Sequence, residues 1–210
     1  MAVWKRAKYP IEPLTQEEHD ELEVRRLVAA IKQGRRDAFS LLVRRYRSQV
    51  AALAYKIVGD YDEAADITQT VFVKMAANIW RYDDSKKFYT WLYRVTVNAS
   101  IDHLRKIRRH RHEPLENVYD VVESRAASPE TAFRRQQLDG YIQQAANTLN
   151  DKQRSAFMLR DVGGCRVDDV ATIMNMPEAT VRWYLHRARA KIRKELLKRC
   201  PQLLIALGIK

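Results

Sequence analysis

Apolar residues recur along this chain at intervals of three and four, the period of a helix that turns one face to a core. The pattern is clearest over 62–79, where Ala64, Ile67, Val71 and Met75 share one stripe while Asp66, Gln69, Thr70 and Val73 share another. Upstream, Leu22, Leu27, Val28 and Ile31 predict a helix that opens on the capping box Thr15-Gln16-Glu17-Glu18 and stops at Gly34. The next, with Asp37 as its cap, carries Phe39, Leu42, Val43, Tyr46, Val50, Leu53 and Ile57 on one face and ends at Gly59. After the polar break "RYDDSKK" a fourth helix runs from Phe88 to the neighbourhood of Arg109. Its apolar positions lie on more than one side: Leu92, Val95 and Ala99 on one, Val97 and Ile101 on another.

Beyond this helix the pattern breaks. "HEPLENVYDVVESRAASPE" combines two prolines with weak periodicity and a local acidic excess, the composition of a linker. Ser128-Pro129-Glu130 reads as an N-cap with proline at the first helical position, opening a helix that carries Phe133, Leu138, Tyr141, Ile142, Ala145 and Leu149. Asn150, with Gln153 three residues on, caps the following helix, and Gly163-Gly164 end it. A short helix then sets Val167, Val170, Ala171 and Met174 on one side, and Asn175-Met176 makes a tight turn. A long basic helix starts at Pro177, with its stripe at Val181, Leu185, Ala188, Ile192 and Leu196. Its opposite face holds Ala179, Trp183, His186, Arg187 and Ala190, which puts a tryptophan among cations and away from the helix's own core. Short helix, turn and basic helix make a helix-turn-helix. The expected fold is all-α: two helical domains joined by a flexible linker, the C-terminal one containing the helix-turn-helix. The expected boundaries are an N-terminal tail (1–19), a first domain (20–110), the linker (111–127), a second domain (128–200) and a C-terminal tail (201–210).

Charge narrows the function. Lys and Arg number 38 against 26 Asp and Glu, a net +12 over 210 residues, which points to nucleic acid or another acidic partner. A membrane-surface role would want a broad apolar face behind the basic helix, whereas this stripe is narrow and the tryptophan lies on the basic side. No apolar run approaches the roughly 18 residues that cross a bilayer, and "MAVWKRAKYPIEP" lacks the apolar segment of a secretory signal. Cys165 and Cys200 are the only cysteines and form no CxxC, which suits a reducing cytoplasm and small, partly buried side chains rather than sensors. His103, His110 and His112 stand too far from them for a metal site, and no phosphate loop or nucleophile–base motif occurs. No cofactor, metal or enzymatic activity is therefore expected. The segment "FYTWLYRVTVNASIDHLRKIRRHRH" sets aromatics beside cations, which suits unstacked bases and phosphates. Phe88, Trp91 and Leu92 suit a core equally well, and a basic helix end complements the helix dipole.

Four stretches together carry a resemblance: "AADITQTVFVKM" (64–75), "FYTWLYRVTVNASIDHLRK" (88–106), "SPETAFRRQQL" (128–138) and "LNDKQRSAFMLRDVGGCRVDDVATIMNMPEATVRWYLHRARAKIRKEL" (149–196). In this order and spacing, across most of 20–197, the chain resembles bacterial RNA polymerase sigma factors of the extracytoplasmic-function (ECF) type, in the sigma-70 family. The resemblance implies a cytoplasmic protein that binds core RNA polymerase and promoter DNA and is held by an anti-sigma factor, often membrane-bound. It implies that Asp66, Gln69, Thr70 and Val73 dock on polymerase, although Thr70 stands where a glutamate is usual. Asn98, Asp102, Arg105, Trp91, Lys86 and Lys87 would hold and melt the −10 element, with the loop 81–87 cradling an extruded base. Thr180, Arg182, Trp183, His186 and Arg187 would meet the −35 element in the major groove. A stand-alone helix-turn-helix regulator would account for 165–199, but leaves the first domain without a purpose.

Overall fold

The structure, a computed structural model, describes residues 16–110 and 140–199, and among these every regular element is helical. The elements are α1 (Gln16–Lys32), α2 (Arg36–Val58), α3 (Tyr61–Asn78), a 3-10 turn (Ile79–Arg81) and α4 (Phe88–His110), followed by α5 (140–146), α6 (Asp151–Phe157), a π-helical turn (Met158–Val162), α7 (Val167–Met174) and α8 (Glu178–Arg199). The expected cap at Thr15, the linker, the helix start at Ser128-Pro129-Glu130 with Phe133 and Leu138, the C-terminal tail and Cys200 lie outside the described residues, as do residues 1–15 of the expected N-terminal tail, whereas residues 16–19 of that tail already belong to α1.

Helices α1–α4 enclose the first core, built on Val28, Leu42, Val50, Val71, Met75 and Leu92. The stripe expected on α3 is buried throughout, at Ala64, Ile67, Val71 and Met75. On α1 the expectation needs correction, because Val24 is buried whereas Leu22 is 41% exposed. Position 24 completes the spacing 24, 28, 31, and Leu22 falls outside that face. Asp37 is not the cap of α2 either. It sits within the first turn, where its carboxylate pairs with Arg35 at 2.9 Å. Asp60 does cap α3, accepting from the Glu63 amide at 2.9 Å. Gly59 closes α2 at φ 85°, a left-handed conformation that suits glycine.

The second unit begins as expected, with Asn150 and Gln153 in a reciprocal capping box (2.9 and 3.4 Å). The helix that follows widens into the π-turn, which periodicity did not anticipate. Gly163 has a specific reason to lack a side chain: a Cβ there would lie 2.8 Å from the Leu159 carbonyl oxygen. Gly164 then turns at φ +74°. On α7 the buried pair is Val170 and Ile173, while Met174 is only partly buried. Asn175 ends α7 at φ 52°, and the Pro177 carbonyl accepts the Val181 amide at 3.1 Å to start α8.

The two units do not stand apart. A second apolar cluster joins Leu53 and Ile57 of α2 and Val97 of α4 to Ala145, Leu149, Met158, Leu159 and the helix-turn-helix core. This accounts for the two-sided apolar pattern of α4. Leu92 and Ala99 face the first core, and Val97 and Ile101 face the second unit.

Candidate nucleic-acid interface

Helix α8 owes its position to its narrow stripe. Val181, Leu185, Ala188 and Ile192 are buried against α6 and α7, so the opposite side is left to solvent. There Trp183 is 50% exposed, with Arg182, His186, Arg187, Ala179 and Ala190 exposed around it and Thr180 half-buried at the edge. The Arg187 guanidinium lies 4.7 Å from the centroid of the Trp183 ring, a cation–π pair that holds both side chains in place. Tyr184 meets the same indole edge-on at 5.0 Å. Arg182 is paired with Glu178 one turn back, at 3.0 Å. Arg189 makes a two-pronged bond to Asp161 (2.6 and 2.8 Å), which fixes α8 against the π-turn. The surface that results combines fixed cations, an indole and small residues that allow close approach, which is what a major groove accepts.

On α4, Trp91, Asn98, Asp102 and Arg105 are spaced seven, four and three residues apart and so share one stripe. Asn98, Asp102 and Arg105 are exposed. Trp91 is half-buried and packs on Phe88 (5.6 Å) and Tyr82 (5.7 Å), so much of its ring belongs to an aromatic cluster with Tyr46. Arg105 pairs with Asp151 of the second unit at 3.2 Å. The loop before α4 is well anchored. The Tyr82 hydroxyl donates to the Lys86 carbonyl, Asp83 accepts from the Ser85 amide at 3.0 Å, and Lys32 bonds Asp84 at 3.0 Å. Lys86 is exposed at the tip, and Lys87 lies over the Tyr89 ring at 5.9 Å.

The third surface is on α3. Asp66, Gln69, Thr70 and Val73 are all exposed, Val73 to 64%. Trp80, in the 3-10 turn, is 59% exposed and prolongs the face; periodicity alone stopped one residue short of it. Arg94 was also passed over in the sequence. Its guanidinium donates to the Thr172 carbonyl of α7. Cys165 is half-buried, and burial, with Asp169 nearby, pushes its thiol up, away from the thiolate that redox chemistry needs.

Comparison with known proteins identifies the two helical units. The family model for sigma-70 region 2 matches residues 42–110, and that for sigma-70 region 4 matches residues 139–192. The chain is 31% identical over 183 residues to the ECF RNA polymerase sigma factor SigW of Bacillus subtilis, covering 84% of this chain and 98% of the relative. It is 33% identical to the RNA polymerase sigma-H factor of Pseudomonas aeruginosa, over 87% and 96% of the two chains. Among solved structures, CnrH in complex with the cytosolic domain of CnrY shares the fold at a TM-score of 0.62, with 21% identity over 85% of this chain and 99% of that one. The sigma factor RpoE in complex with the anti-sigma factor NepR, from Bartonella quintana, matches at 0.61 with 20% identity, over 75% and 96%. With both region models matched across more than half its length and full-length relatives above 30% identity, the chain belongs to the ECF sigma factors of the sigma-70 family.

Proposed function

We propose that the three exposed surfaces divide the work of promoter recognition. Asp66, Gln69, Thr70 and Val73, with Trp80 beyond them, dock on core RNA polymerase. The α4 stripe of Asn98, Asp102 and Arg105, with Lys86 and Lys87 from the loop and the accessible edge of Trp91, takes up the −10 element as it melts. Extruding a base forfeits stacking worth a few kcal/mol, so a site of hydrogen-bonding and charged groups has to replace it. Thr180, Arg182, Trp183, His186 and Arg187 read the −35 element. The observation that carries this reading is the exposed Trp183–Arg187 pair, on the side of α8 opposite its buried stripe. A stand-alone helix-turn-helix regulator would need none of the exposed face of α3.

An anti-sigma partner fits the same reading, since RpoE, a fold neighbour, was solved with the anti-sigma factor NepR. A cytoplasmic site of action follows from work on RNA polymerase; among the described residues no helix is long and apolar enough to cross a membrane. The test is size-exclusion chromatography of the purified chain with core polymerase. Co-elution as a stoichiometric complex is expected. A chain that binds DNA yet elutes apart from polymerase would refute the proposal.

A further inference from the structure

The aromatic residues at the start of α4 wall a cavity in the first unit. It opens between α1, α2 and the first turns of α4 and holds about 260 Å³. Tyr46 and Phe88, 5.4 Å apart, line it together with Tyr89 and Tyr93, which meet edge-on at 5.8 Å. Phe88 also packs on Tyr82 and Trp91, which do not line the cavity, so its ring is shared between this space and the side where the loop 81–87 lies. Lys87, from that loop, reaches the cavity as well.

Charge around the cavity is balanced. Asp20 is taken up by Arg45 at 3.1 Å, and Glu21 by Arg25 at 3.1 Å. Arg45 is held from a second side by Glu23 at 2.8 Å, so its guanidinium is a fixed plane and not a mobile charge. With Asp20 and Glu21 set against Arg45 and Lys87, the lining has no surplus for a compact anion and suits an uncharged ring. Two polar groups are left to meet the edge of such a ring. Gln49 is exposed, and its amide makes no hydrogen bond among the described residues. Burial pushes the Tyr93 hydroxyl up to about 12, so it stays protonated and able to donate. Aromatic walls with an amide that donates and accepts at the edge are a means of holding an unstacked nucleobase. Glutamine matches adenine in particular, donating to N7 and accepting from the N6 amino group. The volume lies below the roughly 300–1,000 Å³ of a drug-sized site, which suits a single base.

We propose that this cavity captures an unstacked nucleobase, adenine above all, delivered by the melted strand and distinct from the base that the loop 81–87 cradles. The proposal rests on the −10 role given to α4 above. Lys87 belongs to both places, so a strand whose phosphate lies on Lys87 is brought to the cavity. Gln49 reads the edge of the base, and Tyr93 donates a further hydrogen bond. The rings replace stacking lost in melting, which is worth roughly 5- to 150-fold in affinity for one base.

The test uses the full chain in complex with core polymerase, with circular dichroism to verify that each variant is folded. The complex selects from forked duplexes whose double-stranded arm and single-stranded tail are both randomised, and the retained tails are sequenced. The wild type should enrich adenine at one tail position where Gln49→Ala loses the preference about tenfold, the worth of a two-pronged base contact. Asn98→Ala should weaken selection at a different position. Tyr93→Phe keeps the ring and should lower the adenine preference less; it decides by the same readout should Gln49→Ala not fold. Identical tail profiles for the wild type and Gln49→Ala, with Asn98→Ala altered, would overturn this site and leave the −10 role of α4 standing. A wild type that selects no tail sequence would remove both. A free nucleotide carries the same ring, and saturation-transfer NMR of the chain with excess adenosine monophosphate separates the two sources. Transfer that depends on Gln49, without a Gln49-dependent tail position, would give the cavity to the free nucleotide and overturn delivery by the strand.

Discussion

Replacing Trp183 by alanine separates a DNA-facing side chain from a structural one by magnitude. A buried tryptophan cut to alanine costs about 3–5 kcal/mol of stability. Trp183 is half-exposed, and its identified ring partners are Arg187 at 4.7 Å and Tyr184 at 5.0 Å. An exposed cation–π pair is worth about 0.5–1 kcal/mol and an edge-on aromatic pair about 0.5–1.5 kcal/mol. Alanine is the better helix former by up to about 0.7 kcal/mol, which offsets part of that loss. The net cost should therefore be about 1 kcal/mol, more than the roughly ±0.5 kcal/mol of a featureless surface site and well below a core deletion. Binding to a −35 duplex should fall further, by about 1–3 kcal/mol or roughly 5- to 150-fold, because the indole is lost and Arg187 is no longer held in place. Urea denaturation and fluorescence anisotropy on the same preparation give both numbers. Arg187→Ala refines the result. If Arg187 reads a base, discrimination among −35 variants narrows; if it holds phosphate, discrimination stays and the salt slope drops by about one. A stability loss of several kcal/mol in Trp183→Ala, or unchanged DNA binding, would refute the reasoning.

Asp66→Arg and Gln69→Arg, both at exposed positions on α3, should leave the helical spectrum unchanged and weaken capture of core polymerase by on the order of 100-fold, since a misplaced charge at an interface costs several kcal/mol. A pull-down in which the folded double variant still retains polymerase would count against that docking face. Asn98→Ala should lower open-complex formation about tenfold, the worth of one hydrogen bond of about 1.4 kcal/mol, while initial binding changes little. Permanganate footprinting beside a gel shift separates the steps, and equal losses in both would contradict the role. In a Cys200→Ser background, Cys165 should react with iodoacetamide at pH 7.5 at least about tenfold more slowly than free glutathione, because burial raises its pKa and reduces the thiolate fraction. Rapid labelling of the folded protein would show the thiol to be open and activated.

Much of this was legible in the sequence because helix periodicity is a local signal. Ile67, Val71 and Met75 on α3, and Val181, Leu185, Ala188 and Ile192 on α8, are buried as their spacing requires, which leaves Asp66, Gln69 and Trp183 on the outer faces. The misreadings arise where tertiary contacts choose between near-equivalent positions. Leu22 and Val24 are both apolar and two residues apart, and only packing against α2 decides which is buried. Asp37 has the chemistry of a cap, but it sits two residues too far in, within the first turn and paired with Arg35. The π-turn at 158–162 depends on the carbonyls that crowd Gly163, which no period reveals. For α4 the two apolar sides were legible, but the partner of the second was not. The helix-turn-helix unit lies more than forty residues away in the chain, so its contact with Val97 becomes visible only in three dimensions. Trp91 shows the same limit, because aromatics beside cations suit both a base and a core, and the ring packs largely on Tyr82 and Phe88.

The most direct test of the central claim is run-off transcription by core polymerase with and without this chain on sheared genomic template, followed by mapping of the 5′ ends. The account predicts transcripts that depend on the chain, begin at discrete sites and share upstream sequences at the −10 and −35 positions, and that vanish with the Asp66→Arg/Gln69→Arg variant. Transcripts unchanged by the chain, or starts with no common upstream elements, would contradict it.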